Sequence, residues 1–234
     1  MDGMGNQADR TEPGGITVLA IDTCGPSGSV ALSRITATAV EILGEVPLEG
    51  RTYSATLISA VERLLTTHAI ALQGIACIVV VNGPGSFTGV RVGLSAAKGL
   101  AEGAGVPLLA ISRLQVLAQK AALPNAALDA HRHEVFLRIA ENELLAGGSE
   151  LAAIDPAPAR IAVCDDAAAT LLASTWPAAE ILHVGPPTAA DAIPLAVPQV
   201  LAGKFADVLL LDAHYLRRSD AEIFGDPTRS TVRK

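Results

Sequence analysis

The most constraining feature of this sequence is one unbroken stretch, Val79–Glu102, in which a strand, a glycine-rich turn and a helix are expected to follow one another. The residues Ile78–Val81 are all β-branched, and a short apolar run of this kind is typical of a strand covered on both faces. The turn Asn82-Gly83-Pro84-Gly85 ends the strand, and Ser86 or Thr88 is placed to cap a helix. A buried strand joined to a helix in this way indicates an α/β fold.

The predicted helix has an apolar, a polar and a small-residue stripe, because residues three and four apart share one face of a helix. The polar stripe consists of Arg91, Ser95, Lys98 and Glu102. The small-residue stripe consists of Gly89, Gly93, Ala96 and Gly103. Each glycine inside a helix costs about 0.5–1 kcal/mol relative to alanine, so this stripe predicts a close approach by another backbone. That backbone belongs either to this chain or to a partner, and the sequence leaves both alternatives open.

Two turns are candidates for a phosphate-binding loop. Glycines before a helix N-terminus, as in Gly83–Thr88, form such loops, but this stretch lacks the Gly-Lys-Ser/Thr ending of a P-loop and the G-x-G-x-x-G pattern. Asp22 stands before a small-residue turn, as in the first phosphate loop of actin-like ATPases, with Thr23 and Ser27 beside it. The alternatives are a packing turn at the first position and an aspartate that hydrogen-bonds local backbone at the second.

Composition and charge limit the classes of function. The chain has 234 residues and a net charge of −7, which argues against a strong nucleic-acid binder because phosphate contacts need clustered Lys and Arg. The apolar residues are dispersed, so that no run reaches the roughly 18 residues of a membrane span. Residues 1–14 have no basic start or apolar core and are expected to form a disordered tail rather than a signal peptide. We therefore expect a cytoplasmic protein without membrane contact.

The chain offers few residues for catalysis or metal binding. Cys24 lies beside a glycine turn, but no histidine is near it in the sequence, so a buried and inert thiol is favoured over a nucleophile. His131 and His133 stand in a predicted turn without further ligands at metal-binding spacing, so no metal site is expected. The three cysteines form no motif, which is typical of a protein in a reducing compartment.

The predicted elements combine a strand meander with strand–helix units, which indicates helices packed on a mixed sheet. The first half is predicted to contain strands Ile16–Asp22, Ser29–Arg34, Thr38–Val46 and Pro107–Ile111 and helices Thr52–His68 and Arg113–Ala122. The second half is predicted to contain a hairpin of Ala126–Asp129 and Glu134–Ala140, strands Arg160–Cys164 and Ile181–Val184, and helical segments Thr188–Ile193 and Val197–Gly203. Glu143–Ala159 is expected to be irregular.

Three segments of the chain resemble the TsaB (YeaZ) family. The longest, GPGSFTGVRVGLSAAKGLA at Gly83–Ala101, is similar to the hallmark segment of that family. Leu19–Leu32 resembles the family's opening hairpin. Asp129–Phe136 resembles its Asp-Ala-Arg-x-x-Glu-Val-Tyr segment, with His131 in place of arginine and Phe136 in place of tyrosine. The three matches follow the order of the family.

The resemblance implies an α/β fold of two actin-like (ASKHA, ribonuclease-H-like) domains, with mixed sheets flanked by helices. We place the N-terminal domain at residues 15–122 and a smaller second actin-like domain at residues 123–205, with tails at residues 1–14 and 218–234. In the family's fold the C-terminal helix returns to the first domain. A helix at about residues 206–217 is therefore expected to pack there.

The resemblance also implies a function in tRNA modification. Members of the family are non-catalytic scaffold subunits that pair with and activate TsaD, which makes threonylcarbamoyladenosine beside the anticodon of tRNAs reading codons that start with A. TsaE, an ATPase, joins the pair. The implied partners are TsaD-like and TsaE-like proteins, tRNA is contacted only through the complex, and the chain holds no cofactor of its own, while ATP or ADP is assigned to the partner interface.

The surface predicted for this partner lies on the central turn and helix. It comprises Gly85, Ser86, Phe87, Thr88, Gly89, Arg91, Gly93, Ala96 and Lys98. A homodimer through the same surface is also expected, because one interaction surface often serves both a homodimer and a heterodimer.

Several residues that an active relative needs are missing from the sequence. A working actin-like ATPase has a second, D-x-G-type phosphate loop and a glycine-rich adenosine loop, whereas the candidates here, Gly147-Gly148 and Gly185-Pro186, lack the preceding acidic residue. The histidine pair with which TsaD holds its metal is also missing. A catalytically silent protein is therefore expected. The alternatives are a nucleotide-binding regulator and a stand-alone peptidase-like or kinase-like enzyme of actin-like fold.

Overall fold

A computed structural model of the chain describes residues 15–36, 38–49 and 52–216. Both expected tails, residues 1–14 and 218–234, lie outside this range. The described residues form two five-stranded sheets, with strand orders β3-β2-β1-β4-β5 and β10-β9-β6-β7-β8. The first sheet and its neighbours comprise β1 (Ile16–Asp22), β2 (Ser27–Ile35), β3 (Val40–Glu49), α1 (Tyr53–Thr67), β4 (Cys77–Val81), α2 (Phe87–Ala104), β5 (Leu108–Ile111) and α3 (Arg113–Lys120). The second comprises β6 (Ala126–Asp129), β7 (Glu134–Ile139), β8 (Asn142–Gly147), α4 (Gly148–Ala152), β9 (Arg160–Val163), α5 (Asp166–Thr175), β10 (Glu180–His183) and α6 (Ala189–Leu201).

The central strand β4 is covered on both faces, as its β-branched sequence predicts. It pairs in parallel with β1 and β5, while β2 and β3 extend the sheet antiparallel to β1. Alternate residues of β4 point to opposite faces. Ile78 and Val80 pack with α1 and α2, whereas Val79 and Val81 pack with α6. Two apolar layers therefore enclose this sheet, which confirms the predicted α/β class and the mixed sheet flanked by helices.

The second sheet has its own apolar core on one face and shares a helix with the first sheet on the other. Trp176 after α5 is buried in that core, and its Nε1 donates to the carbonyl of Leu151 at 3.0 Å. On the opposite face, Leu114 and Leu117 of α3 pack against β6 and β9. Val116 of the same helix belongs to the core of the first sheet. The helix α3 therefore joins the two sheets.

Two expectations about the second half of the sequence need correction. The segment 143–159 is irregular only from residue 153 onward, since most of β8 and all of α4 lie in its first part. The two helical pieces around Pro194 and Pro198 form the single helix α6. Both prolines lie on its exposed side, while its buried residues seal the first sheet, so packing outweighs the hydrogen bonds that proline removes. The buried residues of α6 are Ala189, Ala192, Ile193, Ala196 and Val200.

The helix expected at about residues 206–217 is also wrong over the described part of that range. Residues 206–216 contain a turn and extended backbone instead of a helix. Ala206 bridges to Leu108 of β5, and the backbone N–H of His214 donates to the carbonyl of Asn82 at 2.8 Å. The segment therefore still contacts the first sheet, while α6 is the helix that returns to it. None of the helices in the described parts of the chain is both long and apolar enough to cross a membrane.

Candidate functional site

The glycine-rich turn after β4 begins α2 in the way that its sequence predicts. Ser86 is the N-cap residue, and its Oγ accepts a hydrogen bond from the N–H of Gly89 at 3.3 Å. At the other end, Gly105 adopts a left-handed conformation with φ of 65° and closes the helix. The turn therefore fixes where α2 starts and aims the helix across the first sheet.

The first part of the small-residue stripe on α2 packs against the turn between β1 and β2. A Cβ atom added to Gly93 would collide with Thr23 Oγ1, and one added to Gly89 would collide with the carbonyl oxygen of Thr23. Gly85 lies equally close to the carbonyl of Cys24. Thr23 Oγ1 also donates to the carbonyl of Gly89 at 2.7 Å. At these glycines the close approach is therefore made within the chain, which is one of the two alternatives that the sequence leaves open.

The later part of α2 is open. Added Cβ atoms at Gly99 and Gly103 would have no neighbouring atom within 4 Å. Beside them lies an apolar groove of about 500 Å³ between α1, the segment after it, and Leu100 of α2. Ile58 of α1 lines this groove with 51% of its surface exposed. Ile58 and Leu100 line this groove. We call the groove, together with the open glycines Gly99 and Gly103 next to Leu100 on α2, the α1–α2 face.

The remaining residues of the predicted partner surface lie at the start and middle of α2. Ser86, Phe87, Thr88 and Arg91 are exposed, whereas Ala96 and Lys98 are half-buried. The predicted surface thus contains four exposed side chains, two half-buried ones, and three glycines that contact the β1–β2 turn. Its use by a partner stays a prediction.

The candidate phosphate loop at the end of β1 is closed by its own side chains. Asp22 is fully buried, with Oδ1 accepting from the N–H of Cys24 at 2.8 Å and no hydrogen-bond partner at Oδ2. Thr23 is 1% exposed and bound to Gly89, while Ser27 is exposed. The guanidinium of Arg113, itself only 6% exposed, lies against Gly25 of the turn. The Asp22 carboxylate and the Thr23 hydroxyl are therefore not accessible to a magnesium nucleotide, and the exposed Ser27 hydroxyl alone does not form such a site.

The charges at this turn influence each other. Burial raises the pKa of the Asp22 carboxyl, and the charge of Arg113 opposes that rise. The hydroxyl of Tyr53 donates to the carbonyl of Gly25 at 2.8 Å, and burial raises the pKa of Tyr53 to about 12. The sequence analysis assigns no role to Arg113. Its charge at the start of α3, directly after the apolar strand β5, is the signal that could have identified it.

A second polar cluster, which the sequence does not predict, surrounds Glu143 of β8. Its Oε2 accepts from Ser112 Oγ at 2.6 Å and lies 2.9 Å from His214 Nε2, while its Oε1 accepts from Arg138 Nη1 at 2.8 Å. Burial alone would raise the pKa of Glu143, but these three hydrogen bonds outweigh it and hold the pKa below its ordinary value. Ser112 is the N-cap residue of α3, but its side chain makes no cap bond and binds Glu143 instead. The carboxylate lies between the serine and the histidine, so this is not the order of a serine hydrolase triad.

The histidines of the β6–β7 turn lie at the surface. His131 Nδ1 is 2.8 Å from Asp129 Oδ2, and His131 and its two successors have φ values of 57° to 61°. Within residues 15–36, 38–49 and 52–216 there is no group of three His, Cys, Asp or Glu side chains that could hold a metal ion.

The cysteine thiols are expected to be unreactive in the folded protein. Cys24 is fully buried and its Sγ donates to the carbonyl of Val81 at 3.1 Å. Burial raises the pKa of Cys24, and it raises the pKa of Cys77 to about 12. Because the thiolate is the nucleophile, DTNB at about pH 8 should label at most Cys164 of the folded protein. In the denatured protein, DTNB should react with all three thiols. Rapid labelling of Cys24 in the folded protein would contradict this.

Comparisons with known proteins agree on one family. The family model for TsaD, described as a tRNA N6-adenosine threonylcarbamoyltransferase, matches residues 32–174, which is more than half of the chain. The tRNA threonylcarbamoyladenosine biosynthesis protein TsaB of Escherichia coli (strain K12) is 37% identical over 125 residues, covering 51% of this chain and 52% of that protein. The chain thus spans about half the length of the curated relatives it matches first.

Two solved structures from Pseudomonas aeruginosa are similar over most of the chain. One, titled an uncharacterized protein with similarity to peptidase YEAZ, has a TM-score of 0.72 and 27% identity, covering 86% of this chain and 100% of that one. The other, titled YeaZ, has a TM-score of 0.67 and 25% identity with the same coverage. The hallmark segment, the paired mixed sheets and these matches together show that the chain belongs to the TsaB (YeaZ) family, within the wider group that the TsaD model describes.

Proposed function

We propose that this chain is a non-catalytic scaffold subunit in the synthesis of threonylcarbamoyladenosine in tRNA, and that it pairs with and activates a TsaD-like protein. The proposal rests on family membership, since TsaB relatives are named for that biosynthesis. The structural observation that carries the pairing is the α1–α2 face. It combines an apolar groove, an exposed isoleucine and glycines without side chains, which together suit the close docking of a partner helix.

A non-catalytic role is supported by the chemistry of the candidate residues. The buried thiol of Cys24 has a raised pKa, and the hydroxyl of Ser112 is bound to a carboxylate rather than to a histidine. A nucleotide in this chain's own turn is disfavoured because Asp22 is buried and Thr23 is engaged with Gly89. We therefore assign ATP or ADP to the partner interface. A TsaE-like protein and tRNA join through the assembled complex in the cytoplasm.

Pairing is tested by size-exclusion chromatography with light scattering on the full chain, alone and mixed with the TsaD-like protein of the same organism, with and without ATP. We expect a heterodimer in the mixture. The chain alone tests whether the same face forms a homodimer. Absence of any complex with the TsaD-like protein would contradict the scaffold proposal.

The location of the partner is tested by Gly99→Leu. The substitution places a bulky side chain on the α1–α2 face, where the chain itself has free space, so the variant should fold normally and lose at least about tenfold in affinity. Gly148→Leu is the matched control, because Gly148 also faces open space but lies at the start of α4 beside the second sheet. Equal partner binding by both variants would place the interface elsewhere.

A further inference from the structure

An arginine at the start of α2 is held between two exposed aromatic rings. The guanidinium carbon of Arg91 lies 3.6 Å from the centroid of the Phe87 ring and 5.7 Å from that of Tyr215. Its Nε donates to the hydroxyl of Tyr215 at 2.8 Å. Phe87 and Tyr215 keep 56% and 44% of their surfaces exposed, although large aromatic side chains are usually covered. We call Phe87, Arg91 and Tyr215 the aromatic clamp.

The clamp leaves the outer part of the guanidinium available. Across the described ranges 15–36, 38–49 and 52–216, neither Nη group of Arg91 has a hydrogen-bond partner, and Arg91 forms no ion pair. By contrast, Arg138 and Arg160 are each bound to a glutamate of this chain. Arg91 is thus an exposed arginine without a carboxylate partner in the described part of an acidic protein with a net charge of −7.

We propose that the aromatic clamp receives a carboxylate side chain of the TsaD-like partner, an inference that rests on the proposed function. A guanidinium presents parallel N–H donors that match the two oxygens of a carboxylate. Stacking on Phe87 and the bond to Tyr215 fix the side chain before association, so less conformational freedom is lost when the partner binds. Arginine and tyrosine are also the residue types that most often dominate the affinity of an interface.

Gly99 lies between the clamp and the groove around the axis of α2. At about 100° per residue, Arg91 lies about 80° around the helix from Gly99 in one direction, and Leu100 lies about 100° in the other. Arg91 and Leu100 are therefore about 180° apart around α2, and a partner that contacts both must also cover the open surface at Gly99 between them. Arg91 and Leu100 are about 14 Å apart along the axis, well within one interface of ordinary size.

The surroundings favour a protein carboxylate over a nucleic-acid phosphate. Nucleic-acid binding requires several clustered cations. On the polar stripe of α2, Lys98 is the other cation and Glu102 is an anion. The segment that carries Tyr215 also carries Asp207 and Asp212, whose charges repel a phosphate backbone.

The test compares the affinity of the TsaD-like protein for the wild-type chain and for clamp variants. Arg91→Lys keeps the charge but loses the paired donors, and it should weaken binding about tenfold or more. Tyr215→Phe keeps the ring but removes the bond to Nε, and it should weaken binding several-fold. In the same variant the Arg91 Nε–H signal in nuclear magnetic resonance should exchange faster with water, a change that loss of packing alone would not produce. Arg160→Lys, an exposed substitution beside the second sheet, is the control and should bind normally.

Each outcome separates this inference from the proposed function. Failure of the wild-type chain to bind the TsaD-like protein would overturn both. Wild-type binding that Arg91→Lys leaves unchanged would overturn the clamp alone. Direct binding of tRNA by the isolated chain, lost in Arg91→Lys, would replace the carboxylate with a phosphate and would also overturn the inference.

Discussion

Gly93→Ala should destabilise the folded chain by about 2 kcal/mol or more, although alanine is the better helix former. The added methyl group would occupy the position of Thr23 Oγ1, whose hydroxyl is already fixed by its bond to the carbonyl of Gly89. Relief requires α2 to move away from the β1–β2 turn or the threonine to abandon that bond. Urea unfolding followed by circular dichroism measures the loss.

Gly99→Ala is the matched control for this prediction. It lies in the same helix, its added Cβ meets no atom within 4 Å, and it should stabilise the protein by about 0.5–1 kcal/mol. The two substitutions are chemically identical and should have opposite signs. If both stabilise the protein, the contact between α2 and the turn after β1 is looser than described.

Glu143→Gln should cost about 2–4 kcal/mol at neutral pH, because it removes the charge from a buried acceptor shared by Ser112, Arg138 and His214. Glutamine also brings an NH₂ group to a position surrounded by donors. Glu41→Gln, on the exposed strand β3, is the control and should change stability by less than about 0.5 kcal/mol. Chemical denaturation at neutral pH separates the two variants.

The Glu143 prediction has a defined pH dependence. The carboxyl has an ordinary pKa of 4.5, which the folded structure lowers. Its contribution to stability is therefore complete above the unfolded pKa and is lost as the pH falls through the lower folded pKa. The difference between wild type and Glu143→Gln should shrink on acidification below about pH 4.5. A difference that stays constant over that range would show that the carboxylate's charge is not what stabilises the cluster.

The sequence predicts the first half of the fold better than the second, for local reasons. The run Ile78–Val81 and the glycine turn after it specify a buried strand and a helix start by themselves. In α6, by contrast, Pro194 and Pro198 argue locally for a break, and only burial against the first sheet overrides them. The segment after it follows the edge of the sheet through backbone bonds, which leave no side-chain pattern.

The candidate site also has parts that the sequence predicts and parts that it does not. Spacing along α2 places Arg91 and Lys98 on one polar stripe of the helix, and the residue types already suggest a contact surface. The sequence does not show that Gly89 and Gly93 contact Thr23, because that contact joins residues far apart in the chain. Tyr215 and Glu143 were missed for the same reason, because their partners come from distant segments.

The return of α6 to the first sheet also affects how the chain folds during synthesis. The strands β1, β4 and β5 are complete once Ile111 has been synthesised. The apolar face that α6 covers stays uncovered until the ribosome has added Leu201. During that interval Val18, Val79 and Leu109 remain open to other nascent chains or to chaperones. The synthesis of α6 therefore determines when the apolar face of the first sheet is protected from aggregation.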